Sequence, residues 1–280
     1  MNTGKNDAIH QVWESSAPGW AKWEDVLSRN FVSAIEIMFE RANLSSGMTV
    51  LDLASGAGSQ TLMAARKVGK DGRVVACDIS ETMLSYVQKN ALNAGLSNIS
   101  TLNCAAEDLQ NTKNLFDAAI CRLGLMLFSS PQSALESVKN TLRSGGRFSV
   151  MVFSPPQNNL FVSKSMAIAL KHSGKQPPPQ GSPGLFSLAN EGALKGLFSQ
   201  AGFEYITLET VMVPLHLPSS SDALTMMQEA FGAFRAVLLN LDDSEKSSAW
   251  KEIGEYINSF ETDSGFEAQL EVIIASGKKK

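Results

Sequence analysis

Two carboxylates close two apolar runs on either side of a loop of small residues. Asp52 lies in VLDLASGAGSQT, and Asp78 ends RVVACD, twenty positions after Gly58. Gly56 and Gly58 leave the backbone bare where a ligand can approach, and the helix expected to follow offers its unpaired amides. An acid at that distance suits a carboxylate gripping both hydroxyls of a ribose. A dinucleotide is disfavoured, because Asp52 would repel a pyrophosphate laid on the loop and Thr61 stands where the third glycine of GxGxxG belongs. A nucleoside with a positively charged tail fits both acids.

The elements that must hold these residues alternate. Strands are expected at 48–53, 73–78, 98–103, 115–121 and 146–153, with helices at 58–68, 81–94 and 131–142 between them, a pattern that implies a parallel sheet with right-handed crossovers. Gly95 and Pro131 are stop and start signals. A helix at 190–200 precedes two late strands, 203–213 and 266–275, which flank a helical insertion.

On these residues the chain resembles the class I S-adenosylmethionine-dependent methyltransferases. LDLASGAG is similar to that family's first motif, and CDIS, CAAEDL and FDAAICRLGLMLF follow in the order of its later ones. Within the family it resembles the group of ubiquinone and menaquinone biosynthesis enzymes, over about residues 48–154. Ala54 stands where most relatives have the first glycine. The resemblance implies an α/β, Rossmann-like fold: a mostly parallel seven-stranded sheet, helices on both faces and a helical lid. The implied domains are an N-terminal flap and cap helix (1–42), a cofactor-binding core (43–217 and 264–280) and a lid (218–263).

The implied cofactor is S-adenosyl-L-methionine. Asp52 would face its ammonium, Ala54, Ser55 and Gly56 would give backbone contacts, and Asp78 would hold the ribose. Ile79 and Met83 would line the adenine, whose edge would be read by Ala106 and by Glu107 or Asp108. Cys121 and Arg122 end the fourth strand. A buried guanidinium needs a partner, and Arg122 is read either as aimed at the cofactor carboxylate or Asp52, or as an ion pair in the sheet edge. Gly124 and Met126 would border the substrate. Methyl transfer is a direct displacement, so no catalytic nucleophile is expected and no general base is named.

Residues 1–28 carry Trp13, Trp20 and Trp23 around the break APGW, and read as a flap stapled by aromatics or a lid whose Trp20 indole covers the site. Phe31, Ile35, Met38, Phe39 and Ala42 predict a helix over 29–42. Residues 154–184 read as a linker with a short helix through Met166 and Leu170 and the extended run QPPPQGSPG. In the insertion, a helix over 222–241 is apolar on both sides. Trp250, Ile253, Ile257 and Phe260 can cover one side, and the sheet, a homodimer partner or a lipophilic substrate held by Phe231 and Phe234 can cover the other.

The 280 residues are 44% apolar with a net charge of −4 and a pI near 5.5. Scattered basic residues weigh against nucleic acid. No apolar run is long enough to span a bilayer and the polar start lacks a signal-peptide pattern, so stable membrane insertion is not expected and a cytoplasmic location is. Cys77, Cys104 and Cys121 have no metal-ligand spacing and read as strand packing, and no metal site is expected. The leading function is methylation of a small lipophilic metabolite. The alternatives are a protein of the same fold that binds the cofactor without methylating, an aminopropyl transferase and a NAD-dependent oxidoreductase.

Overall fold

Near-continuous apolar runs make the central strands, as a sheet covered on both faces requires. In the computed structural model, which describes residues 3–109, 115–179 and 182–280, these are β1 (Thr49–Leu53), β2 (Arg73–Asp78), β3 (Ile99–Asn103), β4 (Phe116–Arg122) and β5 (Leu142–Phe153). The strand order β3-β2-β1-β4-β5 is parallel throughout. It reverses direction at β1, so the carboxyl ends of β1, β2 and β4 open a crevice at the topological switch point. β6 (Glu204–Leu217) and β8 (Gly265–Lys278) complete the sheet as an antiparallel pair beside β5, and the two-residue β7 (Glu261–Thr262) adds a short hairpin to β8. The crossovers are α2 (Ser59–Val68), α3 (Glu81–Asn93) and α4 (Pro131–Thr141).

The N-terminal flap expected at 1–28 is instead part of one helix, α1, Thr3–Arg41, running straight through Pro18; Met1 and Asn2 lie outside the described residues. A proline inside a helix costs about 3 kcal/mol. Each large apolar side chain buried along α1 returns roughly 1.5–3 kcal/mol, and Leu27, Phe31, Ile35, Met38 and Phe39 are all buried. Burial therefore outweighs the break. Gly19 has a packing role: a Cβ there would lie 2.1 Å from the carbonyl oxygen of Glu229. Its missing side chain brings α1 against α7 (Ser220–Ala230), where the Glu229 carboxylate accepts from Trp23 Nε1 at 2.5 Å and Lys22 Nζ at 2.9 Å.

Two further expectations change. The linker holds a 14-residue helix, α5 (Leu160–Ser173), with Phe161, Val162, Ser165 and Ala169 buried; Gln180 and Gly181 of the proline-rich run lie outside the described residues. The helix expected over 222–241 is broken at Phe231 into α7 and α8 (Gly232–Leu238). At Gly232 a Cβ would meet Ser16 and Val12 of α1 at 3.2 Å, so the break lets the chain turn against that helix. α1 packs on one side of the insertion, while α9 (Asp243–Ile257) and α5 pack around the other. Met226, Met227, Ala230 and Phe234 are buried within the chain itself, with no partner chain needed to cover them.

Gly19→Ala should lower the stability of the fold by about 1–3 kcal/mol, because either α1 or α7 must move. Urea denaturation with an unchanged midpoint would show that the two backbones are not in close contact.

Candidate functional site

The glycine loop folds as it does because three of its residues take left-handed backbone angles: Ala54 (φ 48°), Gly56 (57°) and Gly58 (100°). Alanine is strained there, by roughly 1–2 kcal/mol, and its methyl group has a consequence opposite. A Cβ on Gly124 would lie 2.6 Å from the Ala54 Cβ and 3.0 Å from Cys121 Sγ. The side chain that replaces a glycine at 54 thus obliges a glycine at 124.

Asp52 is fully buried behind this loop. Its carboxylate accepts from Gln60 Nε2 and, at 2.6 Å, from Thr61 Oγ1, which ties the first turn of α2 to β1 and gives Thr61 a structural task. Burial, against those two bonds, pushes its pKa up to about 7. Ser55 and Cys121 are buried alongside it, and none of the three lines the adjacent cavity.

That cavity is lined by Ala54, Gly56, Asp78, Ile79, Met83, Ala106, Glu107, Arg122 and Gly124 among others. Asp78 lies in its wall: Oδ2 accepts from Gly56 N and Oδ1 from Ser80 N, both at 3.0 Å. Burial pushes its pKa up to about 6. Of the two acids after Ala106, Glu107 reaches the wall; its Oε1 accepts from Ser129 Oγ at 2.9 Å and Ser130 N at 3.1 Å.

Helix α1 roofs the crevice. Trp13 and Trp20 line the cavity, packed edge to face at 6.2 Å. Trp20 Nε1 is buried with no hydrogen-bond partner among the described residues, and a Cβ on Gly56 would sit 2.7 Å from it. Two carboxylates that the sequence analysis did not single out fasten the roof. Glu14 accepts from Ser80 Oγ at 2.5 Å and from Thr82 Oγ1, and these bonds outweigh partial burial to hold its pKa low. Glu24 accepts from Ser59 N at 2.9 Å at the start of α2 and lies 3.9 Å from Arg122; burial raises its pKa against the pull of Arg122. Arg122 is thereby an ion pair, but its partner comes from the roof rather than from the sheet edge. The signal was present in the unbroken helical spacing of Trp13, Ala17, Trp20, Glu24, Leu27 and Phe31.

A second, apolar chamber adjoins the cavity, sharing Trp13, Trp20, Arg122, Leu123 and Leu127. Met126, Phe153, Phe231, Phe234 and Leu270 are among the residues that line the remainder. Among the described residues no cluster of side chains could hold a metal ion.

The model of the ubiE/COQ5 methyltransferase family matches residues 1–171. The chain belongs to that family. It is 29% identical over 231 residues to the ubiquinone/menaquinone biosynthesis C-methyltransferase UbiE of Klebsiella pneumoniae, covering 76% of this chain and 90% of the relative. Among solved structures it is similar to phosphoethanolamine N-methyltransferase 2 of Haemonchus contortus, crystallised with S-adenosylhomocysteine (TM-score 0.61, 14% identity, 98% of this chain and 59% of that one). It also shares its fold with the [4+2]-cyclase SpnF (TM-score 0.57, 18% identity, 95% and 96%), so family membership rather than fold decides the activity. The protein is an S-adenosylmethionine-dependent methyltransferase.

Ala54→Gly should leave the methyltransferase as stable or more stable, and its cofactor affinity within about tenfold, since one methyl group at most is lost from the wall. Gly124→Ala should destabilise it, and less so when combined with Ala54→Gly. A double-mutant cycle by thermal melting should give a coupling of about 1 kcal/mol or more; strictly additive effects would refute the contact.

Proposed function

We propose that the protein methylates a small lipophilic acceptor of the quinol type, held in the apolar chamber, with the cofactor in the adjoining cavity. The observation that carries this is the junction itself: one cavity is organised by Asp78 and the glycine loop, the other is walled by aromatic and aliphatic side chains, and they meet at Trp20, Arg122, Leu123 and Leu127. The UbiE relatives, named for quinone biosynthesis and C-methylation, support a ring carbon as the acceptor atom.

S-adenosylmethionine, when bound, supplies an electrophilic methyl group on a sulfonium. The lining of the cavity suits it in chemistry. Asp78 has acceptor capacity left on both oxygens for ribose hydroxyls, and the buried, unpartnered Trp20 Nε1 is a donor waiting for an acceptor. Ala54 and Gly56 offer close backbone, Ile79 and Met83 an apolar wall, Ala106 and Glu107 a polar edge. Asp52, Ser55 and Cys121 act from behind, through the loop they hold. Arg122, neutralised by Glu24, is the charged group lining the chamber among the described residues. The protein's contribution is therefore alignment and exclusion of water, and alignment is worth roughly 7–11 kcal/mol for well-oriented reactants.

In this reading residues 43–217 and 264–280 carry the cofactor, while 1–42 and 218–263 roof the acceptor. No described helix is long and apolar enough to cross a membrane. The acidic balance favours a small-molecule partner over nucleic acid and accords with a cytoplasmic location; a homodimer would have to use surfaces outside the chamber.

Asp78→Asn should weaken S-adenosylhomocysteine binding by about 1.5–3 kcal/mol, the worth of hydrogen bonds to a charged group. Ribose hydroxyls donate to the ionised carboxylate, so wild-type affinity should be greatest above pH 6 and fall on acidification through the raised pKa of about 6, with proton release on binding. Calorimetry showing a pH-independent wild type, or an unaffected variant, would remove the ribose assignment.

Phe231→Ala should lower kcat/KM for hydrophobic quinols and phenols by about tenfold, corresponding to about 1.4 kcal/mol of lost apolar contact, with cofactor affinity unchanged. Turnover restricted to polar amines or amino acids would end the apolar-acceptor reading.

A further inference from the structure

The sequence leaves three cysteines as strand packing, but two of them meet in the wall of the cofactor cavity. Cys77 is the penultimate residue of β2 and Cys104 follows the end of β3, and their sulfurs lie 3.5 Å apart. Both line the cavity, with Cys77 buried and Cys104 partly exposed. A disulfide needs sulfurs about 2.05 Å apart, so the pair must close by roughly 1.5 Å.

From this geometry we propose that Cys77 and Cys104 form a reversible thiol–disulfide couple that hydrogen peroxide oxidises and that sets the affinity of the cavity for its cofactor. The accessible Cys104 thiolate attacks the peroxide O–O bond, giving a sulfenic acid and releasing hydroxide, which leaves as water after taking a proton. The Cys77 sulfur then attacks the Cys104 sulfur; the S–O bond breaks and a second water leaves. Peroxide is reduced by two electrons and the two thiols are oxidised by the same two.

The division of labour follows from the surroundings. The contact between the two sulfurs lowers the Cys104 pKa below the ordinary thiol value, and the same contact with burial pushes Cys77 up. Cys104, partly exposed in the cavity wall while Cys77 is buried, is thus the attacking thiolate and Cys77 the resolving thiol. Cys121 is fully buried, with burial pushing its pKa up to about 12, and stays reduced.

Closure moves the wall because both cysteines are bonded into it. Ser55 N donates to Cys77 O and Cys104 N to Asp78 O, each at 3.2 Å. Ala105, Ala106 and Glu107 follow Cys104 directly. A pull between the sulfurs therefore displaces the glycine loop, Asp78 and the 105–107 edge together, while a ligand filling the cavity covers Cys104. The coupling to cofactor rests on the placement proposed above; the sulfur chemistry does not.

The test is oxidation of the full-length reduced protein by hydrogen peroxide, with and without S-adenosylhomocysteine, followed by non-reducing peptide mapping and calorimetry. The expected result is a Cys77–Cys104 cross-linked peptide with Cys121 untouched, S-adenosylhomocysteine binding weakened about tenfold or more, and recovery with dithiothreitol. Cys77→Ser should instead accumulate a sulfenic acid at Cys104 that a dimedone probe traps, and Cys104→Ser should show neither product. Wild-type protein that reaches Cys104 sulfinic acid without the cross-link, or whose cross-link leaves affinity unchanged, overturns the inference. If S-adenosylhomocysteine binds yet does not slow cross-linking, the cavity placement falls and the thiol couple stands.

Discussion

A guanidinium buried at the carboxyl end of a central strand must be neutralised, and the geometry of the site depends on where its partner comes from. Arg122 finds Glu24, on the N-terminal helix, and the same carboxylate accepts from the first amide of α2. One buried charge therefore joins the sheet, the glycine loop and the roof. Removing either member of a buried pair typically costs about 3–5 kcal/mol, because the other is left uncompensated. That penalty and the Glu14 contacts at the start of α3 add to the apolar packing of α1 in fixing the helix across the crevice.

Two acids are buried at the carboxyl edge of the sheet, Asp78 in the cavity wall and Asp52 behind the glycine loop. Asp52 and Asp78 have pKa values raised by burial to about 7 and about 6, from an ordinary 3.8. Their protonated forms favour the fold. That contribution is complete below the ordinary value and is lost as pH rises through the raised ones. At neutral pH the ligand-free protein thus carries carboxylates in a poor environment for charge.

The apolar chamber is built the opposite way. Breaking the insertion at Phe231 and Gly232 lets α8 turn against α1, and the turn leaves an internal space walled by Phe153, Phe231, Phe234 and Met126. Proximity of the polar cavity to the apolar chamber is a result of α1 contributing Trp13 and Trp20 to both. A cation and a lipophilic acceptor can meet there without either crossing the other's surroundings.

How much of this was legible in the chain depends on the range of the interactions involved. The alternating strands and helices, the glycine loop and the position of Asp78 follow from local periodicity and turn chemistry, and the structure agrees with them within a few residues at most boundaries. Local signals failed where long-range contact overrode them: Pro18 and Gly19 read as a break, yet packing against α7 keeps the helix whole. Glu14 and Glu24 carried no local signal because their partners, at Ser59, Ser80 and Arg122, are distant in sequence. Asp52 faces Gln60 and Thr61 rather than the cavity, a choice of side-chain direction that spacing does not encode. The meeting of Cys77 with Cys104 depends on how β2 and β3 pair. Sequence by itself determined the fold class and the edge at which chemistry occurs, since both rest on neighbouring residues. Tertiary structure decided which charges pair, what roofs the site and which sulfurs touch, since those depend on elements that only folding brings together.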